Sequence, residues 1–149
     1  QWCLDLGAHA VVDHSLPLDE ALAAAGERAP KYIAALNHTP HHFEAMTRAV
    51  APQGVVGCID DFKGLPVELL KGKSAGFVWE FMFARSMHQT SDMIEQHRLL
   101  KEVSRLVDAG RIRTTLTRDL GALSVETLRQ GHRLLESGST IGKVALAGF

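Results

Sequence analysis

The first half of the chain repeats a short apolar run followed by a helical pattern, and this alternation constrains the fold most strongly. The runs are rich in β-branched and other apolar residues, whereas the stretches between them place apolar residues at helical spacing. The runs cover residues 10–13, 32–36 and 55–59. The first helical stretch is 18–25, which Gly26 ends. The second has Thr39 as its candidate cap and Pro40 in its first turn, and it breaks at 51–54. This βαβαβ order predicts an α/β fold with a parallel sheet.

The second half predicts a different arrangement. Residues 77–83 place four aromatic rings at alternate positions, which is typical of a strand with one very apolar face. Such a face must be buried, and two alternatives remain for what buries it: the core of the same protein or a second subunit. The other predicted elements are a helix over 91–109 ended by Gly110, a strand over 111–117, a helix over 125–137 capped by Ser124 and ended by Gly138, and a strand over 142–149.

The two ends of the chain differ in character. The last eight residues, GKVALAGF, close the chain as a strand would, whereas Gln1-Trp2-Cys3-Leu4 opens it without a Met, a cap or a turn. We therefore expect the chain to be the C-terminal part of a longer protein.

Charge and cysteine content argue against several classes of function. The net charge is −1 and the basic residues are scattered, so a nucleic-acid partner is not expected. Cys3 and Cys58 lack the CxxC spacing of redox and zinc motifs, which suits a reducing cytoplasm. No run approaches the roughly 20 apolar residues that span a bilayer, so no membrane partner is expected either.

Polar clusters follow the three predicted strands of the first half. They are residues 13–15, 37–39 and 60–61. In a parallel α/β sheet the carboxyl ends of the strands line the ligand crevice, because the following helices direct their N-terminal N–H groups there. We expect the three clusters to lie along one edge.

Several short motifs carry a family likeness. They are LGAHAVVDH at 6–14, PQG at 52–54, Asp60-Asp61, ESG at 136–138 and GKV at 142–144. Together they resemble the C-terminal half of the medium-chain dehydrogenase/reductase superfamily, in its zinc-type alcohol dehydrogenase-like, quinone oxidoreductase-like branch. The likeness implies an α/β fold: the second half of a Rossmann-like parallel sheet over 1–76, then an interface strand, helices and a C-terminal segment of the catalytic domain over 77–149.

The resemblance also implies a function. Such proteins are NADP(H)-using reductases of quinones, enones or related carbonyl compounds, and the strand over 77–83 would join two subunits into a homodimer. Matching positions place His14 near the adenosine half of the cofactor and Asn37, His38 and Thr39 against the nicotinamide ribose. Ile59, Asp60 and Asp61 would lie near the nicotinamide ring, and Lys143 would close over the cofactor.

The same resemblance places the remaining machinery upstream of Gln1. That machinery comprises the glycine-rich phosphate loop, the basic residues that select NADPH over NADH, the catalytic residues and any zinc ligands. The chain on its own is therefore expected to be inactive and to bind NADPH poorly, since most hydrogen bonds to the pyrophosphate would be missing.

Three alternatives compete with these roles. His38, His41 and His42 suggest a metal site, but no Cys or carboxylate at a suitable spacing completes a set of four ligands. We therefore expect these histidines to be ordinary polar residues at the start of a helix and to bind no metal. Asp60-Asp61 suggests an acid–base pair, but a turn exposing both carboxylates to water is favoured because adjacent side chains at a strand end diverge. A non-catalytic nucleotide-binding or oligomerisation module remains the alternative function.

Overall fold

The computed structural model describes residues 1–27 and 29–148. They form two compact units, Gly7–Met93 and a second made of Gln1–Leu6 with the segment from Ile94 onward. The elements are α1 (Trp2–Asp5), α2 (Leu18–Ala24), β1 (Tyr32–Ala35), α3 (Thr39–Ala49), β2 (Val55–Cys58), a 3-10 helix (Val67–Lys73), β3 (Gly76–Trp79), α4 (Ala84–Met87), α5 (Ile94–Asp108), β4 (Leu116–Ala122), α6 (Val125–Glu136) and β5 (Lys143–Ala147). The predicted α/β class is confirmed. In the described part of the chain, no helix combines the length and apolar character needed to cross a membrane.

The unit Gly7–Met93 is built on a parallel sheet of β1, β2 and β3 in that order. In its register Tyr32 lies opposite Val55, and Val56 lies opposite Phe77. Strands β1 and β2 are joined by α3, as the sequence predicted. Parallel strands need such a crossover, which brings the carboxyl ends of both strands to the same edge.

Helix α3 supplies much of the core. Phe43, Met46 and Val50 are spaced three and four residues apart, so they share one face of the helix. They pack with Val56 and Cys58 of β2 and with further buried residues, Ala35 and Leu70. This packing fixes the start of α3 beside the ends of β1 and β2.

The PQG turn that follows α3 requires glycine at its third position. A Cβ on Gly54 would lie 2.7 Å from the carbonyl oxygen of Lys31, closer than side chains normally approach backbone. The turn therefore lets two backbone segments meet, and it ends the helix where the sequence predicted.

A lysine from the 3-10 helix also binds the C-terminal end of α3. The Lys73 Nζ donates hydrogen bonds to the carbonyl oxygens of Arg48, at 2.5 Å, and Val50, at 2.7 Å. A cation at a helix C-terminus is also stabilised by the helix dipole.

Replacing Lys73 with Met is expected to lower the free energy of unfolding by about 1–3 kcal/mol, because two charge-assisted hydrogen bonds are lost. Urea denaturation checks the value. Lys71→Met, on the same 3-10 helix but exposed, is the matched control and should change it by less than about 0.5 kcal/mol. Equal losses in the two variants would show that Lys73 does not hold α3.

The first predicted strand is absent. Residues 10–13 have no regular structure, and Val11 is 52% exposed. β-Branched residues favour extended backbone, but a strand also needs a neighbour to accept its hydrogen bonds. In the described ranges, no strand pairs with this segment.

The aromatic strand is shorter than predicted. β3 ends at Trp79, and a turn in which the Ala84 N–H donates to the Phe81 carbonyl leads into α4. Phe77 and Trp79 therefore alternate on a strand, whereas Phe81 and Phe83 pack against each other beyond it, with ring centroids 5.5 Å apart. The alternation of aromatic residues in the sequence thus continues beyond the last hydrogen-bonded pair of the strand.

The second unit pairs β4 with β5 in parallel. The strand predicted over 111–117 was wrong in position, because regular pairing begins only at Leu116, opposite Lys143. Helix α6 lies against this pair at Gly131, where an added Cβ would lie 3.6 Å from the Leu120 side chain. Ser124 caps α6 as predicted and forms a capping box with Thr127.

The glycine of the GKV motif has a structural role. Gly142 has φ 73°, and a Cβ there would lie 2.4 Å from the Thr117 side chain. Glycine is thus required both by the backbone and by the close approach to β4. Strand β5 covers Lys143–Ala147, and Phe149, the last residue of the predicted strand, lies outside the described residues.

Candidate functional site

Two of the three predicted polar clusters meet at one edge of the parallel sheet. The backbone N–H of Thr39, at the start of α3, donates to Asp60 Oδ2 over 2.9 Å. The Thr39 hydroxyl donates to the other carboxylate oxygen of Asp60. Residues 21 positions apart are thus tied together where β1 and β2 end.

A third donor completes the surroundings of Asp60. The Cys58 thiol, at the end of β2, donates to Asp60 Oδ1 over 2.9 Å, and its sulfur lies 3.3 Å from the Thr39 hydroxyl. Cys58 and Thr39 are fully buried, while Asp60 is partly buried. The hydrogen bond from the Cys58 thiol, and then those from Thr39, lower the pKa of Asp60 to about 2. Burial raises the pKa of the Cys58 thiol, which keeps the donor protonated.

These contacts correct two expectations. Asp60 does not simply project into water as one member of an exposed pair, since its carboxylate is held by three donors, whereas Asp61 is exposed. Thr39 is not the cap of α3 but its first residue, and His38 occupies the cap position without a side-chain cap hydrogen bond. The carboxylate of Asp60, which lies two residues after β2, caps the start of α3 instead.

The turn between β1 and α3 presents two polar side chains. His38 has φ 53°, in the left-handed region, and its N–H donates to the Asn37 Oδ1 over 3.0 Å. Asn37 and His38 are both exposed. Since the Asn37 oxygen is engaged, its NH₂ group remains to donate to a ligand. Ile59, after β2, is also exposed at this edge.

The cluster containing His14 reaches α3 rather than a strand end. The His14 and His42 ring centroids are 6.4 Å apart, and those of His41 and His42 are 4.6 Å apart. These rings line a cavity of about 360 Å³. Burial and then the neighbouring His41 lower the pKa of His42. Among residues 1–27 and 29–148, no group of three or more His, Cys, Asp or Glu side chains is arranged to hold a metal ion.

Lys143 belongs to the other unit. It is the exposed first residue of β5, and its backbone N–H donates to the Thr115 carbonyl over 2.8 Å. Its predicted contact with the cofactor stays a prediction.

The role of Cys58 in holding Asp60 was not among the predictions, in which its thiol indicated only the redox compartment. The available signal was its spacing, because residues 58 and 60 at a strand end lie on the same side, so the thiol and the carboxylate could be expected to meet.

The depressed pKa of Asp60 predicts a pH dependence of stability. Its value in the folded protein, about 2, lies below the ordinary 3.8, so the ionised carboxylate stabilises the fold fully above pH 4 or so and loses this effect as pH falls toward 2. Asp60→Asn should therefore have a lower melting temperature than the native protein at neutral pH, and the gap should narrow below about pH 4. Thermal unfolding from pH 7 to pH 2 tests this, and a constant gap would contradict it.

Comparison with known proteins decides the family. Residues 6–146 match the family model described as zinc-binding dehydrogenase. The chain belongs to this zinc-binding dehydrogenase family. The predicted relationship to the medium-chain dehydrogenase/reductase superfamily, in its zinc-type alcohol dehydrogenase-like branch, is thereby confirmed.

Individual relatives support this family membership. A zinc-type alcohol dehydrogenase-like protein of Staphylococcus epidermidis (strain ATCC 12228 / FDA PCI 1200) is 33% identical over 147 residues, which cover 98% of this chain and 44% of the relative. The structure of a protein described as a zinc-dependent alcohol dehydrogenase from Rhizobium etli CFN 42 is 46% identical, with a TM-score of 0.88 over 99% of this chain and 43% of that one. An NAD-dependent alcohol dehydrogenase, 22% identical, superposes with a TM-score of 0.72 over 99% of this chain and 40% of its own, which shows the shared fold.

The match in length is partial. The chain spans 44% of the curated relatives that it matches. Its α/β class and parallel sheets correspond to the Rossmann-like part of medium-chain dehydrogenases, as predicted.

Proposed function

We propose that this zinc-type alcohol dehydrogenase-like chain is the cofactor-binding part of an NAD(P)H-dependent oxidoreductase that reduces a quinone, an enone or a related carbonyl compound. The observation that supports this most directly is the edge at which Asn37, His38 and Asp60 meet, in a chain that belongs to a dehydrogenase family. A nicotinamide cofactor, when bound, supplies the hydride chemistry.

The residues at this edge fit a nicotinamide cofactor. The Asn37 NH₂ group and the His38 ring are exposed polar groups beside the carboxyl ends of parallel strands, where α/β proteins bind nucleotides. In this proposal Asn37 and His38 hold the ribose, Ile59 and Asp61 border the nicotinamide ring, His14 lies on the adenosine side and Lys143 supplies a cation. Thr39 and Asp60 belong to the same site through the hydrogen bonds that join them, and Thr39 itself is buried. NADPH is proposed as the cofactor on the family resemblance.

Zinc does not fit the described part of this chain. No set of side chains there could hold the ion, so the proposal assigns no step to zinc. In this proposal the side chains of the edge bind and orient the nicotinamide cofactor.

The test uses the full-length protein. Fluorescence titration with NADPH and NADH should give saturable binding, with NADPH bound more tightly, and NADPH oxidation should depend on an added quinone or enone. Binding of neither dinucleotide would contradict the proposal and favour a non-catalytic module. If the protein binds a dinucleotide but converts no quinone, enone or alcohol, the proposed cofactor site is supported and the proposed reaction is contradicted.

We further propose a homodimer formed through residues 77–83. β3 is an edge strand of the described sheet, and Trp79, Phe81, Met82 and Phe83 are each more than half exposed. An apolar edge strand recruits another strand readily, and burial of each ring is worth on the order of 2 kcal/mol. Analytical ultracentrifugation of the full-length protein should show a dimer, and Phe81→Asp should shift it toward monomer. A monomer at high concentration with a buried Trp79 would instead favour cover by the same chain.

A further inference from the structure

Asp60 is coordinated as a structural anchor. Its Oδ1 accepts from the Cys58 thiol and the Thr39 hydroxyl, and its Oδ2 accepts from the Thr39 N–H. A carboxylate has about four acceptor positions, so three donors from the protein leave little capacity for a ligand. The side chain faces the protein rather than a bound molecule.

What Asp60 anchors is the turn that carries Asn37. Thr39 is two residues after Asn37, and the residue between them, His38, has a left-handed backbone. That conformation costs a residue other than glycine roughly 1–3 kcal/mol and persists only when neighbouring contacts hold it. The side chain at the cap position makes no cap hydrogen bond, so the carboxylate of Asp60, two residues after β2, supplies the contact that holds the turn.

The anchor is rigid on both sides. Thr39 and Cys58 are fully buried, and α3 and β2 pack through Phe43 and Val56 in the same core. A shift of Asp60 therefore moves the start of α3 and the exposed turn together. Loss of the carboxylate charge also removes the partner of the helix N-terminal dipole.

We infer that Asp60 is a positioning residue that sets the Asn37–His38 turn for the cofactor through its hydrogen bonds to Thr39, an inference that rests on the proposed function. Asp60 itself does not contact the cofactor and takes no part in proton transfer. Its permanent ionisation at physiological pH, with a pKa of about 2, agrees with this role, since an acid–base group needs a pKa nearer neutrality.

The experiment measures cofactor affinity and turnover in the full-length protein. Asp60→Asn and Thr39→Val should each raise the KM and the Kd for the nicotinamide cofactor by about 5- to 20-fold, with kcat within about threefold of native. Thr39→Ser keeps the hydroxyl and should stay within about twofold. Glu68→Gln, which removes an exposed carboxylate of the same unit, is the matched control and should leave all values unchanged.

Asn37→Ala separates the inference from the proposed function. If it raises the cofactor KM while Asp60→Asn and Thr39→Val leave it unchanged, the inference fails and the proposed site stands. If Asn37→Ala also has no effect, the proposed site fails and the inference with it. A hundredfold loss of kcat in Asp60→Asn at unchanged cofactor Kd would make Asp60 catalytic and overturn the inference.

Stability needs its own comparison. If both variants lower only the melting temperature and leave the cofactor KM unchanged, Asp60 is merely structural and the inference is overturned. Should Asp60→Asn fail to fold, Thr39→Val against Thr39→Ser carries the test, because the pair differs in the hydroxyl that reaches Asp60.

Discussion

Replacing Leu70 with Ala is expected to lower the free energy of unfolding by about 2–5 kcal/mol. Leu70 is 2% exposed and joins the core around Phe43, Val56 and Cys58. Truncation removes buried methyl groups and leaves a cavity, and densely packed neighbours close such a cavity only in part. Urea denaturation followed by circular dichroism measures the loss.

Leu69 offers a matched control in the adjacent position. It lies in the same 3-10 helix but is 47% exposed. Leu69→Ala is expected to change the free energy of unfolding by less than about 1 kcal/mol. Similar losses in the two variants would mean that the observed core does not determine the stability of this unit.

Replacing Asn37 or Lys143 with Ala is expected to raise the KM for the nicotinamide cofactor in the full-length protein by about 5- to 50-fold, which corresponds to about 1–2.3 kcal/mol. Asn37 presents its NH₂ group at the sheet edge, and Lys143 offers an adaptable cation at the start of β5. Steady-state kinetics with varied cofactor and saturating substrate give the values, and kcat should stay within a few-fold.

Lys101→Ala is the control for the lysine. Lys101 is exposed on α5 in the same unit as Lys143, so its removal changes the charge equally without touching the proposed site. A cofactor KM that rises as much in Lys101→Ala as in Lys143→Ala would reduce the effect to net charge. Unchanged values in both the Asn37 and Lys143 variants would remove these residues from the site.

Helices were predicted well where local signals mark both ends. The helix predicted over 125–137 is observed as Val125–Glu136, because the Ser124 cap and the left-handed Gly138 are properties of adjacent residues. The helix predicted over 18–25 is observed as Leu18–Ala24, with the left-handed Gly26 beyond its end and Pro17, which makes no side-chain cap, before its start. Capping and glycine conformation require no knowledge of the tertiary structure.

Strands were predicted less well, because a strand is defined by its neighbour. Residues 10–13 and 81–83 have the composition or period of strands, yet neither segment lies in a hydrogen-bonded ladder. The candidate site was likewise predictable only in part. The parallel α/β pattern predicts that polar residues collect where β1 and β2 end. The hydrogen bonds of Asp60 with Thr39 and Cys58 could not be predicted, because they depend on the packing of α3 against β2.

The two cysteines of the chain differ enough to serve as a chemical reporter. Cys3 is exposed, whereas Cys58 is buried, has a raised thiol pKa and donates a hydrogen bond to Asp60. Alkylating reagents attack thiolates, so Cys3 should be labelled quickly and Cys58 only when the edge between β2 and α3 opens. The labelling rate of Cys58, followed by mass spectrometry, thus measures how often the turn carrying Asn37 is released, without any introduced probe.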